Sequence, residues 1–200
     1  MRPSLLVSDP QPAAQGAGWV EQAIARVARS RVPLGFGAGL LVFWLAAPTP
    51  ASLLIGTPVA AAGEMIRIWA AGHLNKAREV TASGPYRWLA HPLYVGSSVM
   101  GAGLAIACAS ASVFAIVAIY LAVTLTAAVR SEEAFLRRTF GDGYDRYRRG
   151  GEREAASGAR RRFSSAQAMK NREYRAVVGL VLAVLLLAWK ATYNEAFWRL

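Results

Sequence analysis

Apolar residues are grouped along the chain in five stretches, at 33–47, 51–71, 92–109, 112–129 and 174–191. A helix needs roughly 20 residues to cross about 30 Å of hydrocarbon, and the second to fifth stretches meet or approach that length. The first is short, and Pro48-Thr49-Pro50 then forces a break. The pattern predicts an all-α, polytopic membrane protein with about five transmembrane helices. The first two form a hairpin whose first member is tilted, kinked or only partly spanning; a buried hairpin of a soluble protein is the alternative.

The segment before these stretches, residues 1–32, is predicted to be an N-terminal arm that lies at the membrane surface. It carries an apolar helical face, with Arg26 and Arg29 off that face, and is too polar for a cleaved signal peptide. Residues 33–200 are expected to form a single membrane domain. Within it the motifs described below occupy 73–149, and 150–170 is predicted to be a flexible, basic linker.

The charge distribution agrees with this division. The 200 residues are 54% hydrophobic and carry 23 Lys and Arg against 12 Asp and Glu, a net charge of +11. All the basic residues except Arg67, Lys190 and Arg199 fall in segments 1–32, 72–91 and 130–175. Basic segments that alternate with uncharged links predict five spans with the N-terminus in the cytoplasm. The expected location is a bacterial-type inner or cell membrane, with membrane lipids rather than nucleic acid as partners.

Several common sites are excluded or disfavoured. The single cysteine, Cys108, allows neither an internal disulfide nor a cysteine-based zinc cluster, and no metal site is predicted. P-loop, HExxH and GxSxG motifs are absent. The glycines within the apolar stretches are instead expected to let helices approach closely; these are Gly35, Gly39, Gly96, Gly101 and Gly103.

A first polar segment precedes the third apolar stretch. The residues 83–86 (Ser-Gly-Pro-Tyr) are typical of a turn, and His91-Pro92 is then expected to begin the helix. The positive end of that helix would attract a carboxylate or phosphate, and His91, Tyr86 and Tyr94 bring polar groups to the same place. Aromatic anchoring at the membrane interface is the alternative reading of the two tyrosines.

Acidic residues near the spans form the second candidate group. Glu132 and Glu133 follow the fourth stretch, either as functional carboxylates or as a solvated helix with a Glu133–Arg137 pair. Glu64 and Arg67 lie in the second stretch, where ionisable residues indicate function unless they form a self-neutralising pair. His73 is expected to join the same site.

Three motifs, in this order, resemble the isoprenylcysteine carboxyl methyltransferase family, which is related to the membrane phospholipid methyltransferases. They are Ser83-Gly84-Pro85-Tyr86, His91-Pro92-x-Tyr94-x-Gly96 and Glu132-Glu133-x-x-Leu136-x-x-x-Phe140-Gly141-x-x-Tyr144-x-x-Tyr147. The resemblance covers roughly residues 64–149. It implies a helical membrane enzyme that binds S-adenosyl-L-methionine in a cytoplasm-facing pocket, with a lipophilic substrate entering from the bilayer.

The resemblance also implies site residues. The cofactor contacts would be Arg78, Glu79, Val80, Thr81, Tyr86, His91, Pro92, Leu93, Tyr94 and Glu132. Glu64, Arg67 and Arg130 are the candidate catalytic residues. The chain departs from the family at Ala90, where an arginine usually precedes His-Pro, and at Ala128, where a substrate-contacting arginine falls. Arg130 is two positions away, so an isoprenylated-cysteine carboxylate is a doubtful substrate.

The predicted function is therefore a membrane methyltransferase that uses S-adenosylmethionine and acts on a lipophilic small molecule or a prenylated or lipid acceptor. Two alternatives remain open at this point. A membrane reductase of the sterol-reductase type would bind NADPH through a similar His-Pro region. A non-enzymatic scaffold would have kept the fold and lost the chemistry, as the two alanine substitutions allow.

Overall fold

The computed structural model describes residues 35, 37–75, 81, 83–141 and 162–193, and all elements within these ranges are helical. The all-α class is thus confirmed. The elements are α1 (37–45), α2 (Pro50–His73), a 3₁₀ turn (Gly84–Arg87), α3 (Pro92–Ala107), α4 (Ala111–Phe140), α5 (Ser165–Lys170) and α6 (Tyr174–Tyr193). The predicted interfacial arm lies outside the described residues.

Three of the described helices, α2, α4 and α6, are long and apolar enough to cross a membrane. Helix α3 is also apolar, but its 16 residues are shorter than a full span. Of the five predicted spans, three therefore correspond to described helices of full membrane-spanning length. The chain is an integral membrane protein, and the exact number of crossings stays a prediction.

Helices α2 and α3 pack with their backbones in contact. A Cβ atom added at Gly63 would lie 2.3 Å from the Met100 backbone nitrogen, and one at Gly103 would lie 2.2 Å from that of Ala60. Only glycine fits where two helix backbones approach this closely. The predicted close approach at Gly96 and Gly103 is confirmed.

The other predicted glycines have different surroundings. Gly101 faces the Leu121 side chain and Gly35 faces the Tyr120 hydroxyl, so both lie close to a neighbouring helix. At Gly39 a Cβ would meet no atom within 4 Å among the residues described. Close packing at Gly39 therefore stays a prediction.

One end of the bundle is closed by the break between α1 and α2. Thr49 and Ser52 form a capping box, in which each side-chain oxygen accepts from the other's backbone N–H, at 3.1 and 2.9 Å. Lys190, in the last turn of α6, reaches the end of α1 and donates to the carbonyl oxygens of Phe43 and Trp44, at 2.5 and 2.9 Å. The lysine thereby satisfies carbonyls that the helix itself leaves unpaired.

At the opposite end, here called the polar end, α2 stops and α3 and α6 begin. Helix α5 caps α2 there. The Asn171 side-chain amide donates to the carbonyl oxygens of Ala71 and Leu74 at 2.8 and 2.9 Å, and the Gln167 amide donates to that of Leu74 at 2.8 Å. Residues 162–170, the last part of the predicted linker, thus include a helix held against α2; residues 150–161 are outside the described ranges.

Candidate active site

The polar end contains a cleft of about 480 Å³ between α3 and α4. Its walls combine an apolar surface with a few polar groups, as in many small-molecule sites. The residues that line it are His91, Tyr94, Val95, Ser98, Leu125, Thr126, Val129, Arg130 and Glu133. Because α4 continues to Phe140, well beyond its apolar part, its acidic residues stand beside the first turn of α3.

His91 lies between the two glutamates of α4. Its Nε2 atom is 3.4 Å from Glu133 Oε1, and its Nδ1 atom is 3.8 Å from Glu132 Oε2. The first distance allows a hydrogen bond between His91 and Glu133. The second is an ion-pair distance, and it gives an ion pair with Glu132 only when the imidazole is protonated. The Tyr94 ring lies 5.8 Å from the His91 ring, centroid to centroid. The structure thus brings the His-Pro motif and the Glu-Glu motif together, although some 40 residues separate them in the sequence.

Glu133 is the closer of the two glutamates, and sequence reasoning did not include it among the cofactor contacts. Its side chain is only 12% exposed, against 40% for that of Glu132. The signal that could have found it is helical geometry. Glu133 follows Val129 and Arg130 by four and three positions, which places all three on the face of α4 that lines the cleft.

The start of α3 offers a ligand fewer donors than most helix termini. Pro92 has no N–H, and the amides of Tyr94 and Val95 both donate to the His91 carbonyl oxygen, at 3.1 and 3.2 Å. The Leu93 amide is the remaining first-turn donor. An anion at this helix end would therefore depend on the Leu93 amide and on nearby side chains.

A second polar cluster is buried on another face of α3. Arg67 Nε lies 3.2 Å from Glu64 Oε2, and Arg67 Nη2 lies 2.7 Å from Glu173 Oε1. Arg67 Nη1 donates to the Ser97 hydroxyl. Glu64 and Glu173 are 4% and 8% exposed. Sequence reasoning missed Glu173; its signal was an acidic residue directly before the apolar stretch at 174–191.

The three candidate catalytic residues therefore occupy two places. Arg130 is exposed and lines the cleft. Glu64 and Arg67 belong to the buried cluster, where the guanidinium is already engaged by two carboxylates and one hydroxyl. This arrangement agrees with the alternative interpretation, in which Glu64 and Arg67 neutralise each other, and adds Glu173 as a second partner of the arginine.

Two other predicted cofactor contacts, Thr81 and Tyr86, lie in the segment between α2 and α3. Thr81 is buried and accepts from the Asn75 amide at 3.3 Å, and Tyr86 is buried in the 3₁₀ turn. Neither lines the cleft. Of the predicted cofactor contacts, Arg78, Glu79 and Val80 lie outside the described residues.

His73 also lies away from the cleft. It is buried, with its Nδ1 atom 2.9 Å from the Trp69 carbonyl oxygen, which can only accept. Its ring packs against Gly84, whose φ of +59° and lack of a side chain admit that contact. The described contacts of His73 therefore join the 3₁₀ turn to α2, whereas the sequence suggested a place in the site.

Comparison with known proteins agrees with the motifs. Residues 64–143 match the phospholipid methyltransferase family, which confirms the resemblance to the membrane methyltransferases. The chain is also 33% identical over 108 residues to the nickel-cobalt-cadmium resistance protein NccN of Alcaligenes xylosoxydans xylosoxydans. That alignment covers 53% of this chain and 49% of NccN, so the chain spans about half the length of this relative. No solved structure matches the chain.

Proposed function

We propose that the protein is a membrane methyltransferase that uses S-adenosylmethionine and methylates a lipophilic acceptor at the cleft between α3 and α4. The observation that carries the proposal is the contact of His91 with Glu132 and Glu133, of which His91 and Glu133 line this cleft. It joins two of the three motifs on which the resemblance rests, the His-Pro and Glu-Glu motifs, inside the segment that matches the phospholipid methyltransferases.

The residues around the cleft fit the cofactor's chemistry. The cleft volume, about 480 Å³, lies within the range of about 300–1,000 Å³ typical of small-molecule sites. Glu132 and Glu133 suit an ammonium group or ribose hydroxyls, the Tyr94 ring suits an adenine, and the Leu93 amide suits a carboxylate. When bound, the cofactor would supply an electrophilic methyl group on a sulfonium.

The chain's own contribution is to place the acceptor. In-line methyl transfer gains most from holding the nucleophile in position and excluding water. Val95, Leu125 and Val129 give the cleft an apolar wall suited to a lipid chain, and Arg130 suits an anionic head group. An amine or thiol acceptor would also have to lose a proton, which the Glu133 carboxylate could accept.

Cofactor binding tests the proposal. Isothermal titration of the detergent-solubilised protein should detect S-adenosylmethionine binding, and His91→Ala and Glu132→Ala should each weaken it about tenfold, the loss of one charge-assisted hydrogen bond. Ser131→Ala is the matched control, because Ser131 is exposed and does not line the cleft. Unchanged binding in both site variants would contradict the site.

The two alternatives predict different outcomes. A ligand that binds the folded state raises the melting temperature by mass action. Stabilisation by NADPH and not by S-adenosylmethionine would favour a reductase, and stabilisation by neither would favour a scaffold. If the cofactor binds, membranes incubated with methyl-labelled S-adenosylmethionine should transfer label to lipid or protein, which identifies the class of acceptor.

A further inference from the structure

The buried cluster contains two carboxyl groups and a single arginine. Glu64 and Arg67, three residues apart on α2, already form a neutral pair. Burying a charge is costly unless it is paired, so a second carboxylate, Glu173, adds a cost that charge balance does not explain. Glu173 Oε1 and both oxygens of Glu64 are buried without a hydrogen bond, although each carboxylate lies at ion-pair distance from Arg67. A role for Glu173 in placing Arg67 accounts for this arrangement.

Arg67 acts directly on the first turns of α3. Its Nη1 donates to the Ser97 hydroxyl, which in turn donates to the Leu93 carbonyl oxygen at 2.9 Å. Its aliphatic part lies against Gly96, where an added Cβ would be 2.6 Å from Arg67 Cγ. The arginine therefore holds the first turn of α3, next to His91, which joins the His-Pro motif to the Glu-Glu motif.

Glu173 is itself held firmly. It directly precedes α6, and its carbonyl oxygen accepts from the amides of Ala176 and Val177 in the first turn of that helix. The preceding residue, Arg172, has a φ of +62°, a conformation uncommon for residues other than glycine. The tight turn that this produces follows Asn171, whose amide is bonded to the end of α2. The backbone on both sides of Glu173 thus fixes where its carboxylate lies.

From these contacts we infer that Glu173 is a positioning residue for the candidate active site. It holds Arg67 against Ser97, and through Ser97 it sets the place of the first turn of α3 and of His91. One part of its test, cofactor affinity, rests on the proposed function; the other part does not.

The part that needs no cofactor is spectroscopic. The chain has two histidines, His73 and His91, so ¹⁵N-histidine labelling gives two pairs of imidazole signals, one pair for each ring, which a His73→Gln variant assigns. Glu173→Ala should shift the His91 signal. Glu173→Gln keeps a side-chain oxygen for Arg67 Nη2 and should restore most of the original signal. A His91 signal that is unchanged in Glu173→Ala would overturn the inference.

The second part measures S-adenosylmethionine affinity. A displacement of about 1 Å costs on the order of 100-fold at a reacting centre, and we expect the dissociation constant to rise roughly tenfold or more in Glu173→Ala. Ser97→Ala should act in the same direction. Because both residues work through Arg67, the double variant should lose less than the two single effects combined. Strictly additive losses would overturn the route through Arg67.

Lys190→Met is the control for a purely structural effect. Lys190 also ties α6 to another helix, but at the opposite end of the bundle. The Lys190→Met variant should have a lower melting temperature, with an unchanged His91 signal and an unchanged cofactor affinity. Equal changes in Lys190→Met and Glu173→Ala would contradict a specific role for Glu173. If the unaltered protein fails to bind S-adenosylmethionine, only the proposed function fails, and the imidazole signals still decide the inference.

Discussion

Gly63→Ala tests the contact between α2 and α3 most directly. The new Cβ would lie 2.3 Å from the Met100 nitrogen and 2.7 Å from both Met100 Cα and the Gly96 carbonyl oxygen. All three are backbone atoms, so no side-chain rotation relieves the clash. Since real Cβ atoms essentially never approach closer than 3.0 Å, the backbones must part locally by at least about 0.7 Å.

The expected loss follows from two opposing effects. Overpacking of a tight interface costs about 1–3 kcal/mol. Replacing glycine by alanine within a helix recovers about 0.8–1.0 kcal/mol of propensity. We therefore expect a net destabilisation of up to about 2 kcal/mol. For a chain of this size the upper value corresponds to a fall in melting temperature of roughly 4–8 °C.

Gly179→Ala is the matched control. Gly179 lies within α6, and an added Cβ there meets no described atom within 4 Å. It should leave stability unchanged or raise it by up to about 1 kcal/mol. Both variants are compared by thermal unfolding in detergent, followed by helical circular dichroism. If Gly63→Ala melts at or above Gly179→Ala, the backbone contact of α2 with α3 is not as described.

Two further predictions concern the polar end. Asn171→Leu removes the amide that donates to the Ala71 carbonyl oxygen, whereas the Leu74 carbonyl oxygen keeps the Gln167 amide. It should lower the free energy of unfolding by about 1–3 kcal/mol, the cost of leaving one buried polar group unpaired. The same melting assay checks it, with the exposed neighbour Lys170→Leu as control, and equal melting of the two would refute it. Arg130→Gln should raise the KM for an anionic acceptor while leaving S-adenosylmethionine affinity unchanged, because Arg130 lines the cleft and is proposed to bind the head group of the acceptor. Transfer rates measured against acceptor concentration check it, and a KM equal to that of the control Arg138→Gln, at an exposed position outside the cleft, would refute it.

Hydrophobic periodicity and turn chemistry predicted much of the fold. The breaks at Pro48–Pro50 and at His91-Pro92 are local effects of proline on the backbone, so the sequence reveals them directly. The close approach at Gly103 was also readable, because small residues in an apolar helix have few other uses. Gly39 shows what the sequence does not reveal: it shows that a helix has a small residue, but not whether another helix packs against that residue.

The candidate site was only partly predictable for a similar reason. Local motifs pointed to His91 and Glu132, but the role of Glu133 depends on which face of α4 meets α3. Glu173 depends on a contact between segments about 100 residues apart, together with an unusual turn at Arg172. A single sequence carries no direct record of such distant pairing. The arrangement of Arg67 between two glutamates could therefore be found only in three dimensions.

The position of Glu173 in the chain also has a consequence for biogenesis. Glu64 and Arg67 leave the ribosome together and can enter the bilayer as a neutral pair on one helix face, which lowers the cost of inserting α2. Glu173 emerges about a hundred residues later and can join them only once α6 begins to insert. During synthesis, then, α2 and α3 can associate early through their glycines. The buried cluster of Glu64, Arg67 and Glu173 is completed last. A chain truncated before Glu173 would insert its first helices and still lack the complete cluster.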